Sequence, residues 1–227
     1  MMPSGAIVVA AGAGERLGRG PKALVRLGGK TLLAWVLATL AQLPEVEELV
    51  VVARAQDEPA VEREVRAALP GRPGKVVLGG ATRQASVAAG LRALGEAQVV
   101  LVHDVARPLA SPALFRSVLI GAEAAGAAIP ALPVREALKA VKGGRIEASV
   151  SREGLFSAQT PQGFRTDLLR QAHLQARGHD AADDSELVSR LGAPVEVLPG
   201  EVGNLKVTYA EDLEWLEALL AARRARA

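Results

Sequence analysis

The chain has 227 residues, 49% of them apolar, which suits one globular domain with a sizeable core and requires no second one. Its net charge of +2, with Arg, Asp and Glu evenly spread, excludes the basic stripe of a nucleic-acid binder, and a pI near 9.2 reflects only a small arginine surplus. The absence of cysteine rules out disulfides, thiolate metal sites and cysteine catalysis, and no stretch approaches the roughly 20 apolar residues of a membrane span.

The first predicted element is an apolar strand over 6–10, and it runs into the most informative stretch of the chain, the glycine-rich segment 12–24 carrying Arg16 and Lys22. Gly12, Gly14, Gly18 and Gly20 let backbone approach an anion, and successive N–H groups with a following helix start supply positive potential, so the segment is predicted to cradle phosphate. Lys22 sharpens this reading, because the chain has six lysines against twenty-one arginines, and a mobile point charge serves phosphate differently from a planar guanidinium. Two better-known loops fail on spacing. Gly29-Lys30-Thr31 lacks the earlier glycine of a Walker A loop, because position 24 is Leu, so it is read as a turn plus helix cap. Gly12, Gly14 and Gly18 give G-x-G-x-x-x-G rather than the dinucleotide pattern, and the next strand ends without an acid for a ribose.

Strands at 48–53, 75–78, 99–103, 127–132, 195–198 and 204–208 then alternate with helices at 31–43, 59–69, 83–94, 112–125, 166–177, 185–191 and 212–224. Near-continuous Val/Ile runs imply burial on both faces, hence a three-layer, doubly wound, mainly parallel α/β sheet that binds ligands at the carboxyl ends of its strands. Ser111 before Pro112 is an N-cap with proline at the first helical position, and Gly192 ends its helix.

His103 and Asp104 end the strand at 99–103. A carboxylate at the sheet's carboxyl edge suits Mg²⁺ held against phosphate oxygens, with a helix cap as the plain alternative for Asp104; His103 is read as a structural, hydrogen-bonded histidine. Residues 136–150 break the βαβ rhythm: two alternating stretches flank Gly143-Gly144 and predict a hairpin, which either folds on its own domain or embraces a second subunit. The C-terminal Arg223-Arg224-Ala225-Arg226 is read as a solvated helix end. No G-x-S-x-G elbow accompanies Ser86 or Ser185, which argues against a serine hydrolase. The N-terminus lacks a charged, cleavable signal, so a cytoplasmic protein is expected, with neither nucleic acid nor membrane as partner.

Five collinear blocks carry a resemblance that spans essentially the whole chain. They are Ala10-Ala11-Gly12-Ala13-Gly14-Glu15-Arg16 with Pro21-Lys22, then Arg83-Gln84-Ala85-Ser86-Val87-Ala88-Ala89-Gly90-Leu91, Val102-His103-Asp104-Val105-Ala106-Arg107-Pro108, Thr160-Pro161-Gln162, and Asn204-Leu205-Lys206-Val207-Thr208. Together they resemble the 2-C-methyl-D-erythritol 4-phosphate cytidylyltransferases of non-mevalonate isoprenoid synthesis. The resemblance implies a single nucleotidyltransferase domain over 1–227, Rossmann-like, with 136–150 as a protruding hairpin arm. It implies CTP and a polyol phosphate as substrates, Mg²⁺ or another divalent cation as cofactor, and a homodimer formed through the arm. Arg16, Lys22 and Lys206 match catalytic positions, and Ala10, Ala11, Gly12, Ala13, Gly14, Gly80 and Ser86 match the nucleotide lining. Asp104 matches the metal-binding acid that also faces the methylerythritol. Arg107, Thr160 and Lys206 match substrate contacts, and Arg152 matches an arginine reaching the neighbouring subunit's substrate. Ala23 stands where the family often has Gln, Ala137 where some relatives present a hydroxyl, and Val105 where Ala is frequent; no charged participant is lost. A ribitol-phosphate or other polyol-phosphate cytidylyltransferase would share most blocks, whereas a non-catalytic nucleotide-binding protein need not keep Lys22, Asp104 and Lys206 together.

Overall fold

A computed structural model describes residues 2–69, 71, 74–176 and 180–225, together with all side chains in those spans except that of Arg224. The end of the 166–177 helix at Arg177, and Arg226 of the basic C-terminal run, lie outside the described residues.

The chain runs β1 (Ser4–Val9), β2 (Arg26–Leu27), β3 (Lys30–Thr31), α1 (Leu32–Leu40), β4 (Val46–Ala53), α2 (Glu58–Ala68), β5 (Gly74–Leu78), α3 (Arg83–Ala93), β6 (Val99–Asp104) and α4 (Pro112–Ala125). It continues with β7 (Ala127–Pro133), β8 (Leu138–Lys142), β9 (Arg145–Val150), β10 (Phe156–Ala158), β11 (Gln162–Arg165), α5 (Thr166–Gln175), α6 (Asp184–Arg190), β12 (Glu196–Pro199) and α7 (Ala210–Arg224). Eight strands form one sheet in the order β10-β7-β11-β6-β1-β4-β5, with β12 also paired to β7. β6, β1, β4 and β5 are parallel neighbours, as are β7 and β12, while β10 and β11 run antiparallel.

Alternation along the strands splits the core into two layers. Ala6, Val8, Val51 and Leu101 face one cluster, filled by Leu32, Leu33, Val36 and Leu37 of α1 with buried side chains of α2, α4 and α7. Ile7, Val50, Val52, Val100 and Val102 face the other, filled by Val87 and Leu91 of α3, Leu169 of α5 and Leu187 of α6. Burial on both faces explains the unbroken Val/Ile runs, and the expected three-layer, doubly wound sheet is what forms.

The predicted punctuation also appears. Thr31 caps α1 by accepting from the Ala34 N–H at 3.0 Å, so Gly29-Lys30-Thr31 is a turn and cap, and Ser111 caps α4 by accepting from the Leu114 N–H at 3.0 Å. Gly143 and Gly144, with φ of 56° and 75°, form the turn between β8 and β9, a backbone that needs positive φ at both central positions. Among the described residues β8 and β9 pair only with each other, and Val141 and Ile146 are more than half exposed.

Two departures matter for the site. Residues 204–208 are not a strand but an irregular segment; its Val207 N–H donates to the Ala106 carbonyl at 2.8 Å and its Asn204 is fully buried. The short strands β10 and β11, which sequence periodicity does not reveal, insert an antiparallel stretch beside β7, and β11 separates β7 from β6.

Candidate active site

β1 and β6 end side by side, with Val9 opposite Asp104, and a cleft of about 440 Å³ opens above them. Ala11 and the glycine-rich segment with Gly12, Ala13, Arg16 and Lys22 supply one part of its wall, the turn before α3 supplies Gly80, α3 supplies Ser86, β6 supplies Asp104, and segment 204–208 supplies Lys206. A Cβ on Gly12 would meet nothing within 4 Å, so backbone there faces open space. Gly14 serves the loop rather than the wall: its φ is 74°, and a Cβ would lie 2.4 Å from the Gly20 carbonyl oxygen, so only glycine lets the segment fold back on itself. Ala10 lies buried beneath the loop, its N–H donating to the Val52 carbonyl at 2.8 Å. The Ser86 hydroxyl donates to the Thr82 carbonyl at 2.9 Å and accepts from the Gly80 N–H at 3.2 Å, which fixes the 79–82 turn against the cleft.

Asp104 caps no helix. Its Oδ1 accepts from Arg83 Nε at 3.0 Å and its Oδ2 from Lys206 Nζ at 2.7 Å. Burial alone would raise its proton affinity, but Arg83 and Lys206 outweigh burial and hold the carboxyl well below the usual carboxylate range. Lys22 shows the opposite balance. Burial lowers its pKa, and the neighbouring charges of Lys206 and Arg16 lower it further. Its Nζ donates to the Val207 carbonyl at 2.9 Å, while the Arg16 guanidinium lies 5.8 Å from the Tyr209 ring centroid.

Behind the cleft, His103 is fully buried against Phe115, and burial drives its pKa down to about 4, so the ring is neutral. A neutral ring donates through Nε2 to the Arg107 carbonyl at 3.1 Å and accepts through Nδ1 from the Thr160 hydroxyl at 3.1 Å; that hydroxyl accepts from the Asp104 N–H at 3.1 Å. His103 is thus the structural residue its sequence context suggests. Thr160 is buried and Arg107 largely so. Arg107 donates to the carbonyls of Asn204 and Ala158, tying the segment that carries Lys206 to the end of β6. Neither lines the cleft. Arg152 is exposed at the base of the hairpin, donating to the Arg135 carbonyl, and is likewise absent from the cleft wall.

Sequence reasoning missed the role of Arg83, which it placed inside a motif block without a function. Arg83 lines the cleft and also donates through Nη1 to Asp184 at 2.7 Å, while the other Asp184 oxygen meets His173 Nε2 at 2.9 Å. Among the described residues no cluster of three or more His, Asp or Glu side chains could hold a metal ion by itself.

A mainly parallel sheet that presents a glycine-rich turn, four cations and one acid at its carboxyl edge places this chain among the nucleotide-binding α/β proteins of the nucleotidyltransferase type. The sequence profile of the 2-C-methyl-D-erythritol 4-phosphate cytidylyltransferases, IspD, matches residues 5–222. The chain is 47% identical to the enzyme of that name from Thermus thermophilus over 94% of this chain and 95% of the relative. It is 45% identical to the Deinococcus radiodurans enzyme of the same name, over 94% and 88%. The crystal structure of 2-C-methyl-D-erythritol 4-phosphate cytidylyltransferase from Thermus thermophilus superposes with a TM-score of 0.80 at 41% identity, covering 95% of this chain and 98% of that one. The 4-diphosphocytidyl-2C-methyl-D-erythritol synthase structure from Anaerococcus prevotii gives 0.84 at 28% identity, over 96% of each. The chain belongs to the IspD family.

Proposed function

We propose that this chain transfers the cytidylyl group of CTP to 2-C-methyl-D-erythritol 4-phosphate, releasing pyrophosphate. The observation that carries the reading is the convergence of Arg16, Lys22 and Lys206 on a glycine-walled cleft, crowded enough that Lys22 already loses proton affinity to its burial and to its cationic neighbours. Such a cluster is unfavourable empty and favourable around a polyanion. A cation about 4 Å from a phosphate charge is worth on the order of 4 kcal/mol at an effective dielectric of 20, so three of them outweigh the repulsion between two phosphorylated substrates.

Transfer is an in-line displacement. An oxygen of the polyol phosphate, already ionised at neutral pH, bonds to the α-phosphorus as the α-phosphorus–oxygen bond to pyrophosphate breaks, and the electron pair leaves with pyrophosphate. No covalent enzyme intermediate and no side-chain base are needed, so the protein's part is positioning and charge neutralisation. Lys22, now on a carbonyl, and Arg16, now over Tyr209, are the two groups free to turn to the triphosphate. Lys206 neutralises the attacking phosphate. Ala11, Gly12, Ala13, Gly80 and Ser86 seat the nucleotide, with Ala10 and Gly14 shaping the loop beneath it. Arg107 and Thr160 support the substrate side of the pocket through the segments they hold.

Asp104 would hold Mg²⁺. Asp104 is the one acidic side chain among the described residues lining the cleft, which fits a magnesium that would take the rest of its ligands from phosphate oxygens and water, and the ion would supply neutralisation of the developing charge. The hairpin β8–β9 is proposed to pack against a second copy of the chain, giving a homodimer in which Arg152 reaches the partner's polyol phosphate. The support is the exposed Val141 and Ile146 on a ribbon that needs a covering surface, with Arg152 two residues beyond it. Among the described residues no helix is long and apolar enough to cross a membrane.

Pyrophosphate release with CTP, ATP, GTP or UTP against a panel of polyol phosphates tests the reading. Release is expected with CTP and 2-C-methyl-D-erythritol 4-phosphate. Release with CTP only when ribitol 5-phosphate is supplied would reassign the acceptor, and no release with any pair would overturn the activity.

A further inference from the structure

The two cations that hold Asp104 are not equivalent. Lys206 comes from an irregular segment, its side chain is 44% exposed, and among the described residues its Nζ makes one hydrogen bond, to Oδ2. Arg83 opens α3, at a turn fixed by Thr82 accepting from the Ala85 N–H at 3.1 Å, and its side chain is only 24% exposed. Its planar fork serves two carboxylates from different nitrogens, Nε to Asp104 and Nη1 to Asp184, which an ammonium cannot reproduce in the same geometry. Asp184 is 1% exposed and is held by the similarly buried His173, so the far end of Arg83 is pinned within the protein. Removing one partner from a buried, charged pair is far more costly than releasing an exposed one.

We propose that Arg83 is a positioning residue for the transfer reaction: anchored from behind by Asp184, it fixes Oδ1 of Asp104, so that Oδ2, now on Lys206, is the one position exchangeable for an incoming cation. Lys206 then acts as a placeholder. It balances Asp104 while the cleft lacks nucleotide and is released to the acceptor phosphate when a metal–nucleotide complex takes over Oδ2. Asp184 and His173 contribute without lining the cleft or touching either substrate. This inference rests on the reading of Asp104 as the acid that meets a metal-bound nucleotide.

Binding of Mn²⁺ in the presence of CTP, followed by the electron paramagnetic resonance of free Mn²⁺ and by calorimetry, separates the two levels. If the unmodified chain shows no CTP-dependent Mn²⁺ uptake, the reading of Asp104 fails. Given that uptake, Asp184→Asn and Arg83→Lys are each expected to raise the Mn²⁺ concentration at half-saturation about 10-fold, the usual scale for losing a partner that orients a metal ligand, while in Asp184→Asn, whose altered side chain lies off the cleft wall, CTP affinity without metal changes less than about twofold. Because each single change disturbs a buried ion pair, the double variant Arg83→Met/Asp184→Leu removes that pair with its volume roughly kept and is expected to fold with the same weakened Mn²⁺ response. Any of the three that melts cooperatively and still takes up Mn²⁺ with CTP as the unmodified chain does overturns the proposal. So does failure of all three to fold, which would assign the pair to stability alone.

Discussion

The cleft and the hairpin arm are built on opposite principles. At the cleft, the acid is buried, both its oxygens are occupied, and its backbone N–H is held by a hydroxyl that a neutral histidine orients in turn. In the arm, β9 is exposed along its whole length, and among the described residues the ribbon pairs with no other strand. A site made to stabilise developing charge gains from groups that need not move, whereas an isolated ribbon gains stability only when a second surface covers it. The difference teaches that the cleft is preorganised by its own chain, while the arm offers an uncovered surface that the proposed second copy would meet.

Breaking the cleft should produce the largest effects. Lys22→Ala is expected to lower kcat by roughly 10²- to 10³-fold, the scale for losing one preorganised electrostatic group, with the fold intact because the side chain is only partly buried. Steady-state pyrophosphate release measures it, and near-normal turnover would remove Lys22 from catalysis. Asp104→Asn should act on the metal response: half-activation by Mg²⁺ is expected to shift upward about 10-fold or more, in line with the loss of a carboxylate ligand or its partner. An unchanged Mg²⁺ titration would leave Asp104 with only its ion pairs to Arg83 and Lys206.

The support beneath the cleft yields a smaller, pH-dependent effect on stability. His103 titrates near 4 in the fold against 6.5 in an exposed chain, so between those values the unfolded state binds more protons. Stability is therefore complete above pH 6.5 and falls as pH drops toward 4, by roughly 3 kcal/mol in total. Denaturant melts at pH 7 and 4.5 check this above the range where Asp104 and Asp184, both held below the ordinary carboxylate value by Arg83, begin to lose their contribution. Equal stability at the two values would contradict the assignment of a neutral, desolvated ring.

Much of this architecture was legible because burial on both faces writes itself as Val/Ile runs, and because glycine spacing marks a loop that must fold tightly. Strands β10 and β11 escaped because Phe156-Ser157-Ala158 and Gln162-Gly163-Phe164-Arg165 are short and mixed in polarity, their pairing decided by β7 rather than by local pattern. Segment 204–208 was misjudged for the converse reason. Leu205 and Val207 alternate with polar residues as in a strand, yet of these two only Val207 is buried, and Arg107 and the Ala106 carbonyl hold the segment so that Lys206 reaches Asp104. The Arg83–Asp184 pair joins residues 101 positions apart, and no periodicity reports a contact at that range.

Subunit mixing tests most directly the proposal that a neighbour's arm brings Arg152 to the polyol phosphate at a cleft otherwise built by its own chain. Lys22→Ala and Arg152→Ala chains, each impaired alone, are mixed after verified exchange and assayed for pyrophosphate release. Each hybrid dimer then holds one pocket with Lys22 from one chain and Arg152 from the other, so activity is expected to rise to about a quarter of that of the unmodified enzyme, from random pairing in a closed two-fold dimer. No gain over the separate variants would contradict the account and return Arg152 to its own chain.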